Sequence, residues 1–302
     1  LGDASLVANR LILNWIGVEP KFTLTIVPCD LEFMTFSEAK KFTQLYLPRN
    51  YDSLNTSYDI VVLHNISPKV VPSRVLDFFK KGVFEEGIGL GLITFMFWGG
   101  GQGTNDIETW IGSSFYDTFP ADVDVSMDYP SARGRTYWRV VRKQPILSMP
   151  GIEKQPMRSI GKHGGDIWPR PGSKVRAVWR GSGTPVMVTG TYGSGATLQL
   201  AKGWHTTPLS VFINYEYMPD LIYNQLYLLT KAEPPQDLEL VHMVRGMFLQ
   251  VDLRTSVMLA TMDFVDKLGG RLDLVEREIA TVESTVEEGE RVYLRGLSLI
   301  HI

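Results

Sequence analysis

The chain has 302 residues, 44% of them apolar, which is enough to bury a sizeable core in one large domain with a smaller appendage. A net charge of −3, a pI near 6.0 and the lack of any long basic run exclude an electrostatic nucleic-acid footprint. Cys29 is the one cysteine, so no intrachain disulfide forms, and the five histidines are too scattered for structural zinc; neither metal nor cofactor is expected. No apolar run reaches the roughly 20 residues of a membrane helix. The chain opens on Leu1 without a Met and closes on an apolar string after a charged stretch, so a piece of a longer protein is expected. Its compartment is left open between cytoplasmic and membrane-associated.

The first hundred residues alternate between two periods. Residues 5–16 carry helical apolar spacing stopped by Gly17, and residues 22–27 are a β-branched strand ending at Pro28-Cys29-Asp30. A helix is predicted over residues 37–47, before Pro48. The run 58–63, YDIVVL, is continuously apolar, as in a strand covered on both faces. Pro72 opens a helix over 73–81 with Gly82 as its stop, and residues 90–97 form a second fully apolar strand. Three strand–helix units in succession predict a doubly wound, mostly parallel, flavodoxin-like α/β sheet.

The middle of the chain changes character. Residues 122–127 and 136–142 alternate as strands, and 152–173 read as an irregular excursion. Strands follow at 175–179, 186–191 and 196–200, the last two joined by the hairpin signal Tyr192-Gly193-Ser194-Gly195. Pro219 opens a helix through Leu229. Glu233-Pro234-Pro235 sets the boundary between an α/β domain over 1–232 and a helical appendage over 233–302. In the appendage Gly269-Gly270 breaks a helical pattern. The residues Leu272, Val275, Ile279, Val282 and Val286 then step at heptad spacing. Two readings compete for this seam: a helical hairpin packed within the chain, and self-association through residues 272–293.

The segments YDIVVLHNIS, GIGLGLITFMFWGGGQG and TPVMVTGTYGSGATLQLAKGW resemble the class I glutamine amidotransferase-like superfamily over roughly residues 1–230. That resemblance implies a nucleophilic Cys on a strand-to-helix elbow, activated by a His and faced by backbone N–H donors. The matching elbow, Phe97-Trp98-Gly99-Gly100-Gly101, carries no Cys, Ser or Thr, and Cys29 follows an earlier strand. His205 matches the partner histidine and has no nucleophile to activate. The resemblance therefore implies the fold without the chemistry.

In a parallel sheet the ligand edge is formed by the carboxyl ends of the strands. Cys29 and Asp30, His64 and Asn65, and Trp98-Gly99-Gly100 each follow a predicted strand, so they define a candidate pocket, with His205 joining it through the resemblance. The run Gly99 to Gly103 is neither a P-loop nor a dinucleotide fingerprint; it reads as an anion cradle or as a tight turn. Asp122, Asp124 and Asp128 alternate on one strand face, as a cation site, a glycosidase acid pair or a solvated face would have them. Residues 162–166 are a lid or a surface loop, and Trp138, Trp168 and Trp179 a sugar platform or core.

Three functions are carried forward. The first is a non-catalytic binding or structural module for a small ligand or protein partner. The second is a hydrolase with a relocated site using His64 or His205 as general base. The third is an ectodomain tethered to a membrane through a segment outside residues 1–302.

Overall fold

The computed structural model describes residues 21–27, 35–64, 66–93, 110–123, 134–141, 145–154, 157–159, 167–201 and 217–231, together with residues 13, 16, 17 and 29. The chain divides into two compact units, Leu1–Gln236 and Asp237–Ile302, and all described residues belong to the first.

Helix α1 (Phe36–Tyr46) starts at a reciprocal cap. The Thr35 backbone N–H donates to Glu38 Oε2 at 2.8 Å, and the Glu38 N–H donates to Thr35 Oγ1 at 3.3 Å. Its inward face holds Ala39 and Thr43, and the buried Thr43 hydroxyl lies 2.6 Å from Val70 O and 2.8 Å from Lys40 O. Helix α2 (Tyr51–Ser57), with Asn50 as its N-cap, was not anticipated by periodicity; it is short and buries chiefly Leu54. Strand β1 (Ile60–His64) follows, and then α3 (Ser73–Lys81). As expected, the α-helix ends at Lys81 and Gly82 lies just beyond it as the C-cap residue. Gly82 is itself right-handed helical, and the chain continues as a wider turn over Gly82–Glu86 before ending at Gly87, whose φ is 81°. A Cβ on Gly82 would lie 2.8 Å from Ile88 Cδ1.

Among the described residues the main sheet has six strands in the order β1, β2 (Gly89–Ile93), β10 (Gly195–Leu200), β9 (Pro185–Tyr192), β8 (Lys174–Trp179) and β5 (Trp138–Val140). β1, β2 and β10 are parallel neighbours, while β10–β9, β9–β8 and β8–β5 are antiparallel. Two small ladders, β3 (Ala121–Val123) with β7 (Ile167–Pro169) and β4 (Gly134–Thr136) with β6 (Met157–Ser159), complete the strands.

This mixed sheet overturns the doubly wound, mostly parallel, flavodoxin-like expectation. Residues 22–27 are extended but pair with no strand among the described residues, so the first expected strand–helix unit is missing from the sheet. The hairpin at Gly193-Ser194 forces β9 antiparallel to β10. A continuous apolar run reports burial on both faces and not strand direction: Pro185 through Thr189 of antiparallel β9 are all buried. No helical hairpin follows among the described residues, and the appendage expected over 233–302, with its seam at 272–293, lies outside them.

Helix α4 (Met218–Thr230) packs directly on β2 because Gly89 and Gly91 present no side chain. A Cβ on Gly89 would lie 2.5 Å from Leu229 O, and one on Gly91 would lie 3.2 Å from Leu229 Cδ1 and 3.3 Å from Val62 Cγ2. The last turn of α4 thus sits over the start of β2. At the same end of the sheet the β9–β10 turn locks three elements. Ser194 N–H donates to Phe84 O at 2.8 Å, the Lys231 ammonium donates to Ser194 O, and a Cβ on Gly193 (φ 56°) would collide with Phe84 O at 2.3 Å.

Gly89→Ala is expected to force α4 off β2 and to destabilise the protein by about 1–3 kcal/mol in urea unfolding, with an unchanged m-value. Gly181→Ala, where an added Cβ meets nothing within 4 Å, should stay within about 0.5 kcal/mol of wild type.

Candidate functional site

The parallel part of the sheet gives the molecule a defined carboxyl edge. His64 ends β1 opposite Ile93, which ends β2, and Ile93 is in turn opposite Leu200 at the end of β10. Side chains alternate along a strand, so His64 shares its face with Val62, the residue beside Gly91 on the α4 side. Helix α4 has 13 residues, about 20 Å of rise, which matches the length of a six-residue strand. The first turn of α4 lies at the end of the helix remote from Leu229. That turn contains Asp220, a carboxyl-bearing residue only 4% exposed, placed where the helix dipole favours negative charge.

His64 is half-buried and hydrogen-bonded or otherwise engaged. Among the described residues it is the ionisable side chain that the ends of β1, β2 and β10 supply. Asp220 was overlooked in the sequence because an acidic residue after Pro219 reads as ordinary first-turn chemistry; only its burial marks it. Of the other expected pocket residues, Asp30, Asn65, Trp98, Gly99, Gly100 and His205 lie outside the described residues. Cys29 is described and is 1% exposed. Burial pushes its thiol up to about 11, because the thiolate would lose its hydration. It is a structural thiol, with the chemistry of a small apolar group at neutral pH.

The tempting acidic strand resolves into a clamp. Asp122 Oδ1 accepts from Arg170 Nε and Nη2, both at 2.8 Å. Arg170 Nη1 also donates to Tyr116 O at 2.9 Å and Phe119 O at 3.1 Å, and the guanidinium carbon lies 4.4 Å from the Tyr116 ring centroid. Asp122 therefore ties β3 to the end of β7; Asp124, Asp128 and residues 162–166 lie outside the described residues. The tryptophans do not make one platform. Trp138 and Trp179 face each other across β5 and β8, whereas Trp168 stands on the separate β3–β7 ladder, half exposed. Among the described residues no group of His, Cys, Asp and Glu could hold a metal ion, and no helix is long and apolar enough to cross a membrane.

No protein-family model and no curated protein sequence matches the chain. Solved structures do match. Cytoplasmic protein STM1381 from Salmonella typhimurium LT2 aligns with a TM-score of 0.58 at 16% identity, covering 73% of this chain and 86% of that one. Cytoplasmic protein STM3548 from Salmonella typhimurium aligns with a TM-score of 0.57 at 15% identity, covering 75% of this chain and 87% of that one. At such identity these neighbours show the fold alone. Their names carry no amidotransferase activity, and with the mixed sheet they overturn the class I amidotransferase and flavodoxin-like assignments. The quoted segments are mostly glycine and apolar residues, and in this chain part of that pattern has a packing cause: the glycines before and within β2 admit α4 and the hairpin turn.

Cys29 should resist a thiol reagent such as Ellman's reagent at pH 7.5 in the native protein and react at once in denaturant. Its folded pKa of about 11 lies above the ordinary value of 9.0. The corresponding stabilisation is thus fully present below about pH 9 and is lost as pH rises to about 11, on the order of 2 kcal/mol in all. Cys29→Ala, which still buries a small apolar group, should remove that alkaline slope in urea unfolding followed from pH 8 to 11.

Proposed function

We propose that the α/β unit is a non-catalytic binding module that takes a small polar ligand at the carboxyl edge of β1, β2 and β10. The observation that carries this reading is the state of the chain's only thiol: Cys29 is buried and protonated, so it supplies no thiolate at neutral pH. What the edge offers instead is His64 as donor or acceptor. Ligands of open α/β sheets gather at such strand ends, and parallel β1, β2 and β10 supply that geometry even within a mixed sheet.

A hydrolase reading, with His64 as general base, draws on one observation: a buried carboxyl group, Asp220, in the first turn of α4, as a candidate to orient an imidazole. The two readings separate on turnover. In the binding reading, a panel of small polar metabolites contains a class that raises the melting temperature of the wild-type protein in a saturable way, and His64→Ala weakens that ligand at least tenfold. The same protein leaves activated esters at the buffer rate. Ester turnover above buffer that disappears in both His64→Ala and Asp220→Asn would overturn the binding reading and install the hydrolase.

A further inference from the structure

A second polar feature stands on the antiparallel half of the sheet. Along the β8–β9 ladder Val175 pairs with Val188 and Ala177 with Met187, so Arg176 is the extra residue of a β-bulge. Alternation along β8 puts Arg176 on the face of Lys174, the residue paired with Thr189, and the bulge leaves it without a register partner on β9. Its guanidinium reaches across to β9, where Arg176 Nε donates to Thr189 Oγ1 at 2.6 Å. Thr189 is itself buried, at 4% exposure, so the bond fixes the guanidinium against a rigid strand.

This bond uses one edge of the guanidinium. Among the described residues no carboxylate pairs with Arg176, in contrast to Arg170 on Asp122 or Lys80 on Asp117. Burial without a compensating charge lowers its affinity for the proton, the opposite of what an ion pair would do. The nearest cation in the ladder is on its own strand: exposed Lys174 pairs in register with Thr189. Thr191, also exposed and two residues along β9 from Thr189, presents its hydroxyl on the same face. A half-buried guanidinium held against Thr189, with a lysine and a hydroxyl on the same face and no acid paired with it among the described residues, has N–H groups left to donate to an anion.

We propose that Arg176, with Lys174 and Thr191, forms an oxyanion site that takes the phosphate or carboxylate group of a small soluble molecule. The remaining N–H groups of the guanidinium donate to the oxyanion, and Lys174 adds charge without fixed geometry. The site is distinct from the carboxyl edge and does not rest on the function proposed there.

Titration of the full chain with inorganic phosphate, and in a parallel arm with acetate, tests this, each at ionic strength held constant with chloride. Melting temperature and the line width of the phosphate phosphorus resonance are the readouts. The expected result is a saturable rise in melting temperature with at least one of the two anions, reduced at least tenfold in apparent affinity by Arg176→Gln and several-fold by Lys174→Gln. The phosphate and acetate arms identify which oxyanion is preferred. Arg176→Met should leave the anion-free protein as stable as wild type or more so, because it removes an uncompensated charge, whereas a purely structural arginine would make that variant less stable. Wild-type protein that responds to neither anion beyond the chloride control would overturn the proposal. So would a response that survives in both Arg176→Gln and Lys174→Gln. Lys174 is exposed, so its variant keeps the test decisive even if changes at Arg176 impair folding.

Discussion

The contact between the backbone of α4 and strand β2 is the constraint on which the rest of the unit depends. Gly89 and Gly91 let a helix approach a strand closer than any side chain would permit, with Leu229 O filling the place of a Cβ. That approach fixes which face of β2 the end of α4 covers. The carboxyl edge is assembled from parallel β1, β2 and β10, and β1 supplies His64 to it.

The other half of the sheet obeys different rules. Beyond β10 the strands are antiparallel and joined in part by a tight turn, so they grow by local pairing and need no crossover helix. Polar groups around the β3–β7 ladder are settled largely by bonds between segments distant in sequence. Gln199 Oε1 accepts from Ala121 N–H at 3.1 Å, Tyr116 OH accepts from Val123 N–H at 2.9 Å, and Arg170 gathers two carbonyls and a carboxylate. Against that background Arg176 stands out because it is bulged, half-buried and unmatched by an acid among the described residues.

Much of the local structure was legible in the sequence. The helix over Ser73–Lys81, the strands and turn from Pro185 to Leu200, and the helix opened around Pro219 lie where periodicity and turn residues put them. What could not be read was direction. A continuous apolar run in β1 and one in β9 look alike, yet one strand is parallel to its neighbour and the other antiparallel. Gly82 reads as a helix stop and lies just past the helix end; only the nearness of Ile88 shows that it also makes room. At the candidate site, the end of β1 gave His64, because strand ends carry positional meaning. Burial of Asp220 and isolation of Arg176 are properties of three-dimensional surroundings and leave no mark in composition.

The β9–β10 turn has a mechanical consequence. Ser194 is held at once by Phe84, at the end of the α3 extension, and by Lys231, just past the end of α4, while Gly193 is wedged against Phe84. The amino edge of the sheet is thus riveted across three segments distant in sequence. The end of α4 cannot be pulled from β2 without also breaking the bonds that hold the β9–β10 turn, so these segments should loosen together. The close packing over Gly89 is thereby held from both sides of the turn.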